Sequence, residues 1–188
     1  MRIYVLTPPR EPEANEQRRA LPGGPSESAA QLVVRRVRVP DYLDTTDIVL
    51  RDGRNEVKSS TSGQWGERLS EGLTRVLAAD LEARLPLNEV VLDTGNPARR
   101  LLFININSLD LWPDGRCVMA ATWSIVDHDA PQTIVTGGGT FDATPPESII
   151  AVGDARLVEA VSRVVGKLAD SIAPRARLSA EQSSPHGN

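Results

Sequence analysis

The stretch from Leu101 to Ile125 constrains this chain more than any other. A long apolar run, Leu101 to Leu111, is followed by Pro113-Asp114-Gly115-Arg116, a strong hairpin signal because proline presets one turn dihedral and glycine accepts the positive one. The returning segment places Cys117, Met119, Ala121, Trp123 and Ile125 on one face, the pattern of a half-buried antiparallel strand. A second turn around Asp129-Ala130-Pro131 leads into Thr133 to Phe141, so the stretch predicts a three-stranded meander.

The other segments must cover that meander. Trp65, Leu69, Leu73, Val76, Leu77 and Leu81 recur at helical spacing, and the spacing predicts a helix that opens at Trp65 and stops after Leu85 at Pro86. Thr61 and Gln64 are placed to form its capping box. Gly66 and Gly72 each weaken such a helix by about 1 kcal/mol relative to alanine, so packing has to hold its first turns. A second amphipathic helix carries Leu157, Val161, Val164, Val165, Leu168 and Ile172 and is predicted to close at Pro174. Arg175 to Asn188 reads as a frayed polar tail.

Toward the N-terminus, Ile3 to Leu6 is a short strand and Thr7 to Ser28 a mobile loop without periodicity. Leu32, Val34, Val37 and Val39 mark a strand whose alternation slips at Arg35-Arg36, the sign of a bulge, and Pro40 ends it. Ile48 to Leu50, the turn Asp52-Gly53-Arg54-Asn55 and a polar edge strand, Glu56 to Ser60, form a hairpin unit. Asn88 to Leu92 adds a short strand. The expected fold is α+β: two layers, a mainly antiparallel sheet with two amphipathic helices on one face. At 188 residues the chain is expected to form a single domain over 1–188, with its ordered core at about 30–173.

Few functions are compatible with these residues. A net charge of −4 argues against nucleic acid as a partner. Only 4% of residues are aromatic while 40% are hydrophobic, so the core is built from branched aliphatics. Cys117 is the single cysteine, which rules out an intramolecular disulfide and reads as a small buried side chain. Of the two histidines, His186 lies in the tail, and His128 sits between Asp127 and Asp129 in a turn, where turn geometry explains it better than a metal site or a catalytic triad. Gly137-Gly138-Gly139 lacks the lysine and hydroxyl residue of a phosphate loop and is flanked by strand, so it reads as a bulge or a close backbone approach. Arg35, Arg36 and Arg38 are better read as a solvated strand face than as a phosphate patch. The reading assigns no catalytic residue, no cofactor and no metal. Pro40-Asp41-Tyr42-Leu43 places an aromatic and a leucine in a surface connection, so Pro40, Tyr42 and Leu43, with Trp65 nearby in sequence, are the candidate partner contacts. Capping of the core by Tyr42 and Leu43 is the competing account, and a core position the competing account of Trp65.

These segments also carry a resemblance. Tyr4-Val5-Leu6, Val37-Arg38-Val39-Pro40-Asp41-Tyr42-Leu43-Asp44, Ile48-Val49-Leu50-Arg51, Trp65, Arg75-Val76-Leu77-Ala78-Ala79-Asp80-Leu81 and the helix from Leu157 to Ala173 together resemble the PqiC-like ABC-type transport auxiliary lipoproteins. The similarity spans roughly residues 3 to 173, and Pro-Asp-Tyr-Leu-Asp is its most specific part. It implies a non-catalytic auxiliary subunit of an envelope transport system that moves lipids or other hydrophobic molecules between membranes. The implied partners are an ATPase, a permease and an MCE-domain protein. It further implies a periplasmic domain held at the outer membrane by a lipid anchor. Members of the family usually carry a signal peptide ending in a lipidated cysteine, and here Met1 leads directly into strand-like sequence, so Met1 is read as an artificial start that replaces them, in preference to an unanchored variant. The alternatives are a free-standing periplasmic lipid- or protein-binding module and a hydrolase using His128. An edge strand over Glu56 to Ser60 leaves room for a homo-oligomer.

Overall fold

The computed structural model describes residues 1–8, 32–85, 90–92, 100–127, 134–144 and 153–183. The segment expected as a loop, Thr7 to Ser28, falls mostly outside them, as do His128, His186 and the Asp129-Ala130-Pro131 turn. The elements in chain order are β1 (Arg2–Tyr4), β2 (Leu32–Val34), β3 (Asp47–Arg51), β4 (Val57–Trp65), α1 (Leu69–Arg84), β5 (Val90–Leu92), β6 (Arg100–Leu111), β7 (Cys117–Asp127), β8 (Ile134–Ala143) and α2 (Asp154–Ser183).

The meander forms as its alternation requires. β6 and β7 pair antiparallel from Arg100↔Asp127 to Leu111↔Cys117, with one irregularity between Ile106 and Ser108. In the connecting turn Gly115 takes φ 91°. Trp112 and Arg116 close the turn through a backbone bond of 2.9 Å, and the Arg116 guanidinium lies 4.0 Å from the centre of the Trp112 ring. β8 pairs with β7 from Cys117↔Ala143 to Val126↔Ile134. The triple glycine lies inside β8 as a close approach: a Cβ at Gly137 would run into the Trp123 indole, and one at Gly138 would come within 2.7 Å of the Ala121 carbonyl.

The α+β class holds, and the strands divide into two sheets. One has the order β1-β4-β3 and the other β5-β2-β6-β7-β8. Three pairings are parallel: β1 with β4, and β2 with both β5 and β6. β2 is buried on both faces, so Leu32, Val33 and Val34 are all below 5% exposed and show no alternation. The expected slip at Arg35-Arg36 is present. The ladder to β6 breaks after Arg35 and resumes at Arg38, while the Val37 amide turns away to donate to Thr74 Oγ1 at 2.9 Å. Arg51 on β3 joins the two sheets by donating to Asp110 on β6 at 2.5 Å.

Two helix boundaries differ from expectation. Trp65 ends β4 instead of opening a helix, and α1 begins at Leu69 with no cap from its own N-cap side chain, so Thr61 and Gln64 form no capping box. The apolar spacing misleads here because Trp65 reaches the same core from a strand that the helical residues reach from α1. Of the expected edge strand Glu56 to Ser60, Val57 to Ser60 form the outer half of β4, which pairs with β3, while its inner half lies between β1 and β3. α2 runs through Pro174 to Ser183 instead of closing there. The ring removes one helical N–H, but tertiary bonds hold the following turn: buried Arg100 donates to the Ala176 carbonyl at 2.6 Å, and Arg177 donates to the Arg84 carbonyl. Ala176 is fully buried, so the helical turn that follows Pro174 is docked, where a frayed tail was expected.

The apolar faces of α1 and α2 and the inner faces of the two sheets merge in one buried cluster. Leu85, the residue before Pro86, is extended, as a residue preceding proline prefers. Cys117 is fully buried in this core. Burial, helped by the charge of Asp110, pushes its thiol up to about 12, so it stays an inert apolar side chain at neutral pH.

Candidate functional site

The connection from β2 to β3 carries the residues singled out in the sequence. Pro40 starts a tight turn in which its carbonyl accepts from the amides of Leu43 at 2.9 Å and Asp44 at 3.2 Å. This turn drives Leu43 inward and leaves Tyr42 outside. Leu43 is 2% exposed and belongs to the core, whereas Tyr42 is 46% exposed. Trp65, at 3% exposure, is likewise core, so neither its indole nor the Leu43 side chain is available to a partner. Of the four candidate contacts, Tyr42 is the one whose side chain stands out in solvent, with Pro40 half-buried at the base of its turn.

The loop is braced from below by a residue to which sequence reading assigned no role. Asp44 Oδ1 accepts from the Ser70 amide at 3.3 Å in the first turn of α1, supplying from outside the cap the helix lacks. The Asp44 carbonyl accepts from Arg68 at 2.7 Å, and the Leu69 amide donates to Thr45 at 3.2 Å. Arg36 donates to Ser70 Oγ at 2.8 Å and lies 3.8 Å from Asp44 and 3.5 Å from Glu71. Burial works against the Asp44 charge, but hydrogen bonding from Ser70 and the Arg36 and Arg68 guanidiniums outweigh it, holding the carboxyl below the usual carboxylate range. An aspartate at the end of a turn, 26 positions before the amide it caps, leaves no local signal in the sequence.

Arg35, Arg36 and Arg38 line a cleft of about 450 Å³ with Asp41, Asp44, Ser70 and Phe103. Arg36 is engaged by Asp44 and Glu71, and the side chains of all three arginines are exposed to solvent. A second cleft, about 480 Å³, lies where α1, β8 and α2 meet, among Arg84, Arg163, Lys167, Asp142 and Asp170. It too mixes both signs of charge. Among the described residues no three His, Cys, Asp or Glu side chains are grouped to hold a metal ion, and no helix is long and apolar enough to cross a membrane.

The comparisons with known proteins agree with this architecture. Residues 4–173 match the family described as the ABC-type transport auxiliary lipoprotein component, and the chain belongs to that family. Membership places it among envelope lipoproteins that serve a transport system. A crystal structure of an uncharacterised protein superposes with a TM-score of 0.68 at 16% identity, covering 93% of this chain and 97% of the other. Protein XCC0632 from Xanthomonas campestris superposes with a TM-score of 0.68 at 13% identity, covering 97% and 98%. A PelC dodecamer subunit from Paraburkholderia phytofirmans gives 0.49 at 14% identity, covering 78% and 89%. At such identities the first two likenesses are ones of fold alone. No curated protein sequence matches the chain.

Proposed function

We propose that this protein is the non-catalytic auxiliary lipoprotein of an ABC-type, MCE-associated transport system that moves lipids or other hydrophobic molecules between the inner and outer membranes. In this role it works at the periplasmic face of the outer membrane, with the MCE-domain protein as direct partner and the ATPase and permease as distant ones. The family match carries the reading. A lipid anchor would supply what such a subunit contributes, which is position: it raises the domain's effective concentration beside its partners without adding chemistry. The charged side chains that line these two clefts suit neither of them to hold an apolar ligand.

Tyr42 is the contact residue in this proposal. It stands exposed on a turn whose neighbours are fixed by Leu43 in the core and Asp44 on α1, so presenting the ring to a partner requires little further ordering. Capture of the MCE-domain partner by immobilised protein tests the role. Tyr42→Ala, which leaves Leu43 and the brace in place, is expected to weaken capture about tenfold or more if the ring is an interface anchor. Capture at the wild-type level by a folded Tyr42→Ala protein would remove the loop from the interface. Placement at the membrane is tested separately, by intact mass and membrane fractionation of the product of the native gene in its own host. A diacylated N-terminal cysteine and outer-membrane recovery are expected, and a soluble, unlipidated product would refute the anchored role.

A further inference from the structure

The five-stranded sheet has two edges of very different character. One is β5, only three residues long. The other is β8, ten residues long, and from Ile134 to Phe141 it contains neither a charge nor a proline. Natural edge strands are normally blunted by shortness, charge, proline or a bulge. β8 has a continuous register with β7 across its whole length, so it is not bulged either. Thr136, Gly138, Gly139 and Thr140 are exposed along this edge.

The sequence of the edge reads nearly the same in both directions. Around Gly138 the order is Val135-Thr136-Gly137-Gly138-Gly139-Thr140-Phe141, a threonine and then an apolar residue at equal distances on either side. An antiparallel pair of two identical strands needs this property, because a two-fold axis sets residue i against residue j and j against i. With the axis at Gly138, Thr136 of each copy faces Thr140 of the other, and Val135 faces Phe141. Threonine–threonine and aromatic–β-branched pairs are both favourable across antiparallel strands. Val135 and Phe141 are only half-buried in the single chain while packed against its core, so a second copy would extend the core at the place where it thins out.

We propose that β8 is a self-association edge, pairing antiparallel with β8 of a second copy about Gly138 to join two five-stranded sheets into one of ten. The occupant is a second copy rather than an unrelated peptide because the palindrome satisfies both halves of the contact at once. This interface is independent of the Tyr42 loop, which lies on the connection between β2 and β3.

Sedimentation of the 188-residue chain over a concentration series tests it, with the dimer expected at twice the 20.3 kDa of the chain. Thr136→Lys with Thr140→Lys sets lysine against lysine twice, and is expected to raise the dimer dissociation constant about tenfold or more. Thr136→Lys with Thr140→Glu carries the same surface changes but sets lysine against glutamate, and is expected to restore dimerisation to near the wild-type level. Both threonines are exposed, so circular dichroism of the two variants should match the parent. Register is read by Thr136→Cys with Thr140→Cys, which should give a covalent dimer on oxidation, whereas Thr136→Cys alone should not. Buried Cys117 does not compete in this reaction. A chain that stays monomeric throughout the series, or an oligomer indifferent to the lysine pair, would overturn the proposal.

Discussion

Single side chains decide two features of this fold. Gly137 faces Trp123 across the β7–β8 ladder, where a methyl group would collide with the indole. Gly137→Ala is therefore expected to cost about 1–3 kcal/mol as the indole is driven off its rotamer, read by denaturant unfolding, with a shifted tryptophan emission. Asp44 acts through charge and geometry together. Asp44→Ala removes the side-chain acceptor of the Ser70 amide in the first turn of α1 and should cost roughly 1 kcal/mol at neutral pH. Because folding depresses the Asp44 carboxyl below its ordinary 3.8, its contribution is complete above that value and is lost as pH falls through the lower, folded one. The stability gap between wild type and Asp44→Ala should thus shrink as pH falls below 3.8, in urea titrations at stepped pH. A gap that stays constant into acid would mean that the turn, and not the carboxylate, holds the helix start.

At the scale of elements, α2 shows how tertiary bonds override a local stop signal. A proline inside a helix costs roughly 3 kcal/mol, and the sequence offers no compensation within the last turns. The compensation is distant: Arg100, at the start of β6, reaches the Ala176 carbonyl 76 positions away, and Arg84 at the end of α1 is bonded both to Asp170 and, through its carbonyl, to Arg177. Burial lowers the tendency of Arg84 to stay charged, but Asp170 and Asp80 more than offset it and raise its pKa. Arg100→Ala should consequently raise amide exchange in residues 175–178 while leaving the turns before Pro174 protected, since those are held by Val161, Val164 and Leu168 in the core. Pro174→Ala should act in the opposite sense, raising stability by up to about 3 kcal/mol, because the helical bond returns while the docking contacts stay. Thermal melts of the two variants, with exchange read by mass spectrometry, separate these effects.

Across the whole molecule, what the sequence disclosed follows from how far apart interacting residues lie. The meander was legible because its first turn and its alternation are local, and Gly115, Asp52 and Gly53 behave as turn chemistry dictates. The two amphipathic faces were legible for the same reason. The parallel pairing of β2 with β5 and β6 was not, because Leu32 meets Val90 and Arg100 only after long excursions, and a strand buried on both faces shows no period. The β2–β3 turn lay between these cases: its apolar residues stood out, but which faced inward depended on the core beneath. That division gives Trp65 and Tyr42 opposite signatures. Trp65→Ala empties a fully enclosed site where β4 meets α1 and should lower stability by about 3–5 kcal/mol, so any loss of partner capture would track unfolding. Tyr42→Ala removes a half-exposed ring and should change stability by less than about 0.5 kcal/mol while capture falls. Urea midpoints measured beside capture distinguish the two. A Tyr42→Ala protein as unstable as Trp65→Ala would make the exposed ring a structural member of the β2–β3 turn instead of a surface held out for a partner.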